Sequence, residues 1–222
     1  MSAIPLERDI HYPESDGRPM AETDLHLDVM FDLIHALKTR YAGDPDVYVG
    51  GNLLLYYVKG DPRFSISPDV LVTPGIGKGR RDTYLLWVEG RMPCFVIEVT
   101  SKSTRKEDLQ KKKSLYERLG VDEYFLFDPR EEYLHPRLQG HRLAQSRYQP
   151  IPPESDGSLL SRTTGLLLKP EGENLRLIDA ATGERLLWTQ EETEALETAE
   201  ERIKALEAEI VRLRRESSEL QK

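Results

Sequence analysis

The sequence predicts an α/β or α+β fold in which a mixed β-sheet core is flanked by helices and followed by a C-terminal coiled-coil helix. Three observations in the 222 residues carry this prediction. Two segments with helical spacing of apolar residues enclose a series of short apolar runs of β type. The end of the chain instead repeats apolar residues in heptads, as coiled coils do. We therefore expect one core domain over 21–188 and a coiled-coil tail over 189–222.

The composition limits the functional classes. Apolar residues make up 38% and charged residues 32% of the chain, and no stretch approaches the ~18 consecutive apolar residues of a membrane-spanning helix. The N-terminal residues lack the apolar segment of a secretory signal. The single cysteine, Cys94, excludes an intrachain disulfide framework and a cysteine-based zinc site. A cytoplasmic protein that does not bind membranes is expected.

The distribution of charge leaves nucleic acid open as a partner. The formal net charge is −8, of which residues 171–222 contribute −6 and residues 1–170 only −2. Residues 78–118 hold 11 basic and 6 acidic residues, a local net charge of +5. A local basic surface is what contact with phosphates requires. The alternative is an ordinary solvated surface with scattered Lys and Arg.

The first 41 residues divide into an arm and a helix. Residues 1–20 contain three prolines and no periodicity, and they are predicted to form an N-terminal arm. Residues 21–41 are predicted to form a helix, with Thr23 or Asp24 capping its start. One face of that helix carries His26, Met30, Leu33 and Leu37 at spacings of three and four.

Short runs of β type, punctuated by Gly and Pro, follow this helix. They cover 47–49, 53–58, 69–73, 84–88 and 95–100. A second helix is predicted over 104–119, because Thr104 and Glu107 have the spacing of a capping box and Gly120 stands just after the helix end. A strand at 123–127 and hairpins over 132–180, with strands at 166–169 and 175–178, complete the core.

The tail carries a heptad repeat. Its a and d positions alternate as Leu196, Ala199, Ile203, Leu206, Ile210, Leu213, Ser217 and Leu220. Isoleucine at a with leucine at d favours two parallel strands, in which Arg202 would face Glu207 of the partner and Glu209 would face Arg214. We expect a homodimer through a coiled coil over about 194–222. The alternative is one amphipathic helix folded onto its own domain.

Two acidic residues at strand positions are candidate metal ligands. Asp69 stands at the entrance of the run 69–73, and Glu98 lies within the apolar run 95–100. A glutamate inside such a strand is costly to bury unless it is paired or binds a cation. Two neighbouring carboxylates suit Mg²⁺, which takes one or two carboxylates plus waters and substrate phosphate. Alternatively, Asp69 caps a turn and Glu98 pairs with an arginine.

The second predicted helix has a lysine on its apolar face. At about 100° per residue, Lys112 falls at the centre of the apolar stripe, whereas Lys111 and Lys113 fall to either side. Its ammonium group could reach the two carboxylates and a reacting water, or it could snorkel to the rim. In the first helix His26 also lies on the buried stripe, one turn after Glu22. A lone histidine there can equally be a satisfied core residue.

Three strings of residues occur in order along the chain. They are Pro68-Asp69-Val70-Leu71-Val72, then Val96-Ile97-Glu98-Val99-Thr100-Ser101 with Ser103-Thr104-Arg105, Asp108-Leu109, Lys112 and Tyr116, then Gly120-Val121 with Glu123-Tyr124-Phe125-Leu126-Phe127-Asp128-Pro129. Together they resemble the Uma-type restriction endonuclease family of the PD-(D/E)XK nuclease superfamily. The resemblance covers about 20–187 and implies a restriction-endonuclease-like mixed sheet with acids at the ends of a strand pair.

The resemblance also implies roles for individual residues. Asp69 and Glu98 correspond to metal-binding acids, with the Val99 carbonyl as a further ligand and Mg²⁺ or Mn²⁺ as the ion. Thr100 stands where the motif lysine would be. The family pattern relocates that lysine to the following helix, where Lys112 matches.

Further positions have supporting roles by the same resemblance. Glu22 or His26 would be the supporting polar group of the first helix, and Lys102 is a competing basic residue where the family commonly has proline. The basic residues expected to hold the DNA backbone, with little sequence information, are Lys78, Arg80, Arg81, Arg105 and Lys106.

The implied activity is metal-assisted hydrolysis of DNA phosphodiester bonds by a restriction-like or mobile-element-associated endonuclease, acting as a dimer. A function of a different class stays open. The chain could be a catalytically idle nuclease-fold protein that recruits partners through its coiled coil. A magnesium-dependent cleavage assay separates the two.

Overall fold

The computed structural model describes residues 10–15, 17, 23–101 and 107–220. The chain divides into two compact units, Met1–Leu186 and Leu187–Lys222. Most of the predicted arm, Glu22 and the segment 102–106 lie outside the described residues.

A six-stranded mixed sheet forms the centre of the first unit. Its strands are β1 Val47–Gly50, β4 Val70–Pro74, β6 Phe95–Val99, β7 Glu123–Phe127, β8 Leu138–Ala144 and β9 Arg147–Pro150. Their order across the sheet is β1-β4-β6-β7-β8-β9. The pairing of β6 with β7 is parallel, and the other four are antiparallel. The predicted α/β class with a mixed sheet is confirmed.

Two three-stranded sheets accompany the central sheet. One contains β2 Leu55–Tyr56, β3 Ser65–Ile66 and β5 Tyr84–Leu85, and the other contains β10 Leu159–Leu160, β11 Leu166–Glu171 and β12 Asn174–Asp179. The predicted strands at 166–169 and 175–178 therefore exist and form a hairpin, β11 with β12.

The prediction was wrong for two strands, both in their length and in the sheet to which they belong. The run 53–58 forms a strand only at Leu55–Tyr56, and the run 84–88 ends as a strand at Leu85. The chain then turns into a short helix, α2 Leu86–Glu89, which Gly90 closes at a φ of 68°. Short apolar runs fit a strand or a buried helical turn equally well, so periodicity alone could not separate them.

Helix α1, Asp24–Arg40, covers one face of the central sheet. Thr23 caps it as predicted, since its hydroxyl accepts a hydrogen bond from the His26 N–H at 3.3 Å. The four residues predicted for its inner face, His26, Met30, Leu33 and Leu37, are all buried. The apolar members pack with β4, β6 and β7 in one hydrophobic cluster.

The second predicted helix covers the opposite face of the sheet. From Glu107 to Lys112 it is π-helical, and it becomes the α-helix α3 at Lys113–Leu119. Gly120 ends it in the left-handed conformation at a φ of 83°, as its place in the sequence predicted. Thr104 of the predicted capping box lies outside the described residues.

The side chains of strand β6 alternate between the two faces of the central sheet. Phe95, Ile97 and Val99 belong to the cluster beneath α1. Val96 belongs to the second cluster, which includes Tyr116 of α3. Glu98 points to that second face as well, and this alternation brings a carboxylate beneath the helix that carries Lys112.

The second unit contains one long helix, α4 Thr189–Leu220. Its predicted apolar stripe is exposed along the part whose side chains are described, at Leu196, Ile203, Leu206, Ile210 and Leu213. Throughout the described part of the chain, each helix is too short or too polar to cross a membrane.

Candidate active site

The antiparallel pairing of β4 with β6 brings the two predicted acids together. Val70 lies opposite Ile97 in this pairing, so Asp69 just before β4 comes next to Glu98 near the end of β6. The Asp69 backbone N–H donates to Glu98 Oε2 at 3.4 Å, and the Val99 N–H donates to Asp69 Oδ2 at 2.7 Å. Two residues 29 positions apart in the chain thus share one end of the sheet.

Glu98 is fully buried, and two side chains of one helix face hold its carboxylate. Lys112 Nζ lies 2.7 Å from Oε2, and the Tyr116 hydroxyl donates to Oε1 at 2.8 Å. A carboxylate without water is tolerated only when a counter-charge and hydrogen bonds replace its hydration. Lys112 and Tyr116 supply both. The described contacts of the Glu98 carboxylate are with a lysine and a tyrosine, whereas the alternative interpretation expected an arginine.

Three consecutive lysines have three different environments. Lys112 contacts Glu98 and also donates to the Ser67 carbonyl at 3.3 Å. Lys113 Nζ lies 2.8 Å from His141 Nε2, and Lys111 is exposed. Lys112 is therefore the lysine of this run that reaches the paired acids.

Asp69 is the more accessible of the two acids, with 12% of its side chain exposed, and His26 supports it from α1. His26 Nε2 lies 3.5 Å from Asp69 Oδ2. Burial raises the pKa of the Asp69 carboxyl, but the contact with His26, the Lys112 charge and the Val99 N–H outweigh burial and hold the pKa below its usual value. Asp69 is thus an anion at neutral pH.

A close approach of two backbone segments positions Asp69. A Cβ atom added at Gly51 would lie 1.9 Å from the Asp69 carbonyl oxygen, so only glycine fits there. The Asn52 N–H donates to the Pro68 carbonyl at 2.8 Å. The Gly51-Asn52 dipeptide is a turn signal in the sequence, and Asn52 has a positive φ of 50° in the structure.

The end of β6 contributes two further predicted positions. Thr100 is buried and donates its backbone N–H to the Phe127 carbonyl at 2.7 Å. Its hydroxyl oxygen has no hydrogen-bond partner among the residues that the structure describes. Val99 takes part through its backbone N–H, as given above.

The predicted basic residues are only partly described. Glu22, Lys102, Arg105 and Lys106 lie outside the described residues. Lys78 donates to the Tyr41 and Ala42 carbonyls at the end of α1, and Arg80 is exposed.

Arg81 is engaged within the fold. Its Nε lies 2.6 Å from Glu89 Oε1, and its guanidinium carbon lies 4.0 Å from the centre of the Tyr48 ring. These contacts hold the loop after β4. The expected contact of Arg81 with the DNA backbone stays a prediction.

The carboxylate oxygens at the cluster are ligands of the kind that Mg²⁺ and Mn²⁺ take. In the described part of the chain, no group of three or more His, Cys, Asp or Glu side chains is arranged to hold a metal. Asp69 and Glu98 offer hard carboxylate oxygens, and the side chain of Asp69 is partly exposed to solvent. Magnesium is characteristically bound through one or two carboxylates, with water and substrate phosphate completing its shell.

A cavity of about 610 Å³ opens elsewhere, beside β8. Its lining is mostly apolar and includes Leu138, Ile151 and Pro153, but none of the cluster residues. Its lining contains no pair of carboxylates, so this cavity is not the candidate site despite its volume.

One family model matches this chain. The model of the family Uma2, described as "Putative restriction endonuclease", matches residues 1–171. No curated protein matches. Among solved structures, the chain is similar to a protein from Anabaena variabilis described as a putative nuclease belonging to DUF820. The identity is 16%, the match covers 64% of this chain and 75% of that chain, and the TM-score is 0.48.

Proposed function

The chain belongs to the Uma2 family of putative restriction endonucleases, and from this premise we propose that it is a metal-dependent endonuclease that hydrolyses DNA phosphodiester bonds. The observation that carries the proposal is the cluster of Asp69, Glu98 and Lys112 at one end of the central sheet. Two acids can hold a divalent ion, and a lysine beside them can stabilise the charge that develops during phosphodiester hydrolysis.

The paired acids would hold the ion. Mg²⁺ or Mn²⁺ on Asp69 and Glu98, with the Val99 carbonyl as a further ligand, would lower the pKa of a bound water and polarise a phosphate oxygen. Asp69 stays ionised for this role because His26 and Lys112 hold its pKa low. His26 is thereby a supporting residue.

Lys112 would act on the reacting groups directly. Its ammonium lies 2.7 Å from Glu98 and 12% of its side chain is exposed, so it faces the acids from the rim of the cluster. A fixed positive charge there orients the attacking water and stabilises the negative charge that grows on the phosphoryl oxygens. Because Glu98 and Ser67 already orient the lysine, little reorganisation is needed during the reaction.

DNA is the proposed substrate, in a restriction-like or mobile-element-associated role. The exposed Arg80, together with Lys78, Lys102, Arg105 and Lys106, is proposed to contact the phosphate backbone, which positions a duplex without reading its sequence. Such contacts make binding strongly dependent on salt concentration.

Incubation of the purified full chain with supercoiled plasmid tests the proposal. We expect nicked and linear DNA with Mg²⁺ or Mn²⁺, and intact plasmid with EDTA. A parallel reaction with single-stranded RNA tests the substrate class. Intact plasmid under all metal conditions, from a protein that is folded by circular dichroism, would instead favour the idle interaction module.

We also propose that α4 pairs with α4 of a second copy in a parallel coiled coil. Its exposed stripe has isoleucine at 203 and 210 and leucine at 206 and 213, the combination that favours two parallel strands. The opposite charges at Arg202 and Glu207 fit the same register. A dimer carries two copies of the site, as a cut through both strands of a duplex in one event requires.

Replacement of Ile210 by glutamate is expected to convert the dimer into a monomer, because two buried carboxylates would face each other at one a position. Val211 is the matched control, since it is equally exposed in α4 but lies off the stripe at a b position. Val211→Glu should therefore stay dimeric. Light scattering coupled to size exclusion measures both masses. A monomeric wild-type chain, or equal masses for the two variants, would refute pairing through this stripe.

A further inference from the structure

We propose that Tyr116 is a positioning residue whose hydroxyl holds Oε1 of Glu98 and so presents Oε2 to Lys112, to Asp69 and to the divalent ion. The proposal rests on the proposed function, since it concerns metal binding at that same cluster. Tyr116 is one of the positions that carry the family resemblance, but the resemblance implies no role for it.

The contacts divide the two oxygens of Glu98 into different roles. Oε1 accepts a hydrogen bond from the Tyr116 hydroxyl at 2.8 Å. Oε2 lies 2.7 Å from Lys112 Nζ and 3.4 Å from the Asp69 backbone nitrogen. A hydrogen bond at Oε1 disfavours rotation of the carboxylate about its last bond, so Oε2 stays directed at Lys112 and the second acid.

Packing fixes the position of the phenol independently of its hydroxyl. Tyr116 is fully buried, and its ring lies 5.2 Å from that of Tyr124 in the second hydrophobic cluster. Lys112 and Tyr116 are four residues apart, the spacing that puts two side chains side by side on one helix face. One helix face therefore holds both oxygens of Glu98, and a phenylalanine at 116 would keep the packing while removing a single hydrogen bond.

Groups that hydrogen-bond to metal ligands set ligand orientation and typically contribute about 10–100-fold in metal affinity or activity. Without the hydroxyl, Glu98 Oε1 would be a buried acceptor with one donor fewer. The carboxylate could then rotate and share both oxygens with Lys112, which leaves Oε2 poorly aimed. The loss should fall on metal binding more than on the chemical step.

The test compares Tyr116→Phe with Tyr148→Phe in the full chain. Tyr148 is a matched control because it is also buried in the second cluster and its hydroxyl donates one hydrogen bond, to the Val121 carbonyl at 2.9 Å. Calorimetric titration with Mn²⁺ in the absence of DNA should show a Kd raised about 10–100-fold for Tyr116→Phe and unchanged for Tyr148→Phe. Plasmid cleavage by Tyr116→Phe should recover at high metal concentration.

A second comparison separates positioning from general destabilisation. The free energy of unfolding of Tyr116→Phe should fall no further than that of Tyr148→Phe, since each variant removes one hydroxyl hydrogen bond, so a Mn²⁺ affinity lowered only in Tyr116→Phe marks positioning. Equal Mn²⁺ affinity of wild type and Tyr116→Phe, with a wild type that binds and cleaves, overturns the positioning role alone. A wild type that neither binds Mn²⁺ nor cleaves overturns the proposed function and this inference with it.

Discussion

Asp69→Asn is expected to abolish metal-dependent cleavage, with a loss of at least about 10³-fold, the upper range for removal of one electrostatic group from an active site. The asparagine oxygen can still accept the hydrogen bond from the Val99 N–H, so the local backbone should not move. The anionic charge beside Glu98 disappears, and with it the site for a divalent ion. Plasmid cleavage at saturating Mg²⁺ measures the loss.

Glu117→Gln is the control for this variant. Glu117 lies on α3 and accepts a hydrogen bond from the Tyr148 N–H at 2.6 Å, away from the paired acids. Its activity should equal that of the wild type. If Asp69→Asn cleaved DNA as fast as Glu117→Gln, the paired acids would not be the metal site.

Substitution of Asp69 is easier to interpret than substitution of Glu98, because Glu98 is the more deeply buried of the two. Removing the charge of Glu98 would leave Lys112 without its counter-charge in a largely buried position, and breaking a buried pair typically costs about 3–5 kcal/mol of folding free energy. Lost activity of Glu98→Gln could then reflect unfolding, so its free energy of unfolding must be measured alongside.

The positions of the candidate site residues could be predicted from the sequence, whereas the small sheet of β2, β3 and β5 could not. The acid predicted within the apolar run 95–100, Glu98, lies on the face of β6 opposite that of Ile97 and Val99, as strand alternation requires. Lys112 reaches Glu98 although the helix is π-helical up to that residue, because regular α-helix follows directly and puts Tyr116 one turn later on the same face. Local periodicity was therefore sufficient for these positions.

Other features depend on contacts between distant segments, which no local pattern encodes. The pairing of Leu55–Tyr56 with Ser65–Ile66 and Tyr84–Leu85 in a separate sheet is one example. The close approach of Gly51 to the Asp69 carbonyl is another. The hydrogen bond of Tyr116 is a third, since the buried acceptor for its hydroxyl lies on strand β6.

Lys112→Met is expected to lower cleavage about 10²–10³-fold, because the variant removes the fixed positive charge that stabilises the transition state while methionine keeps the apolar contacts of the side-chain stem. Lys111→Met is the matched control one position earlier, where the side chain is exposed, and it should cleave as the wild type does. Glu98 retains the Tyr116 hydroxyl in the Lys112 variant but loses its counter-charge, which costs about 3–5 kcal/mol when a buried pair is broken, so the free energy of unfolding must be measured alongside cleavage. An inactive Lys111→Met together with an active Lys112→Met would mean that the lysine at 111, and not the one beside Glu98, serves the reaction.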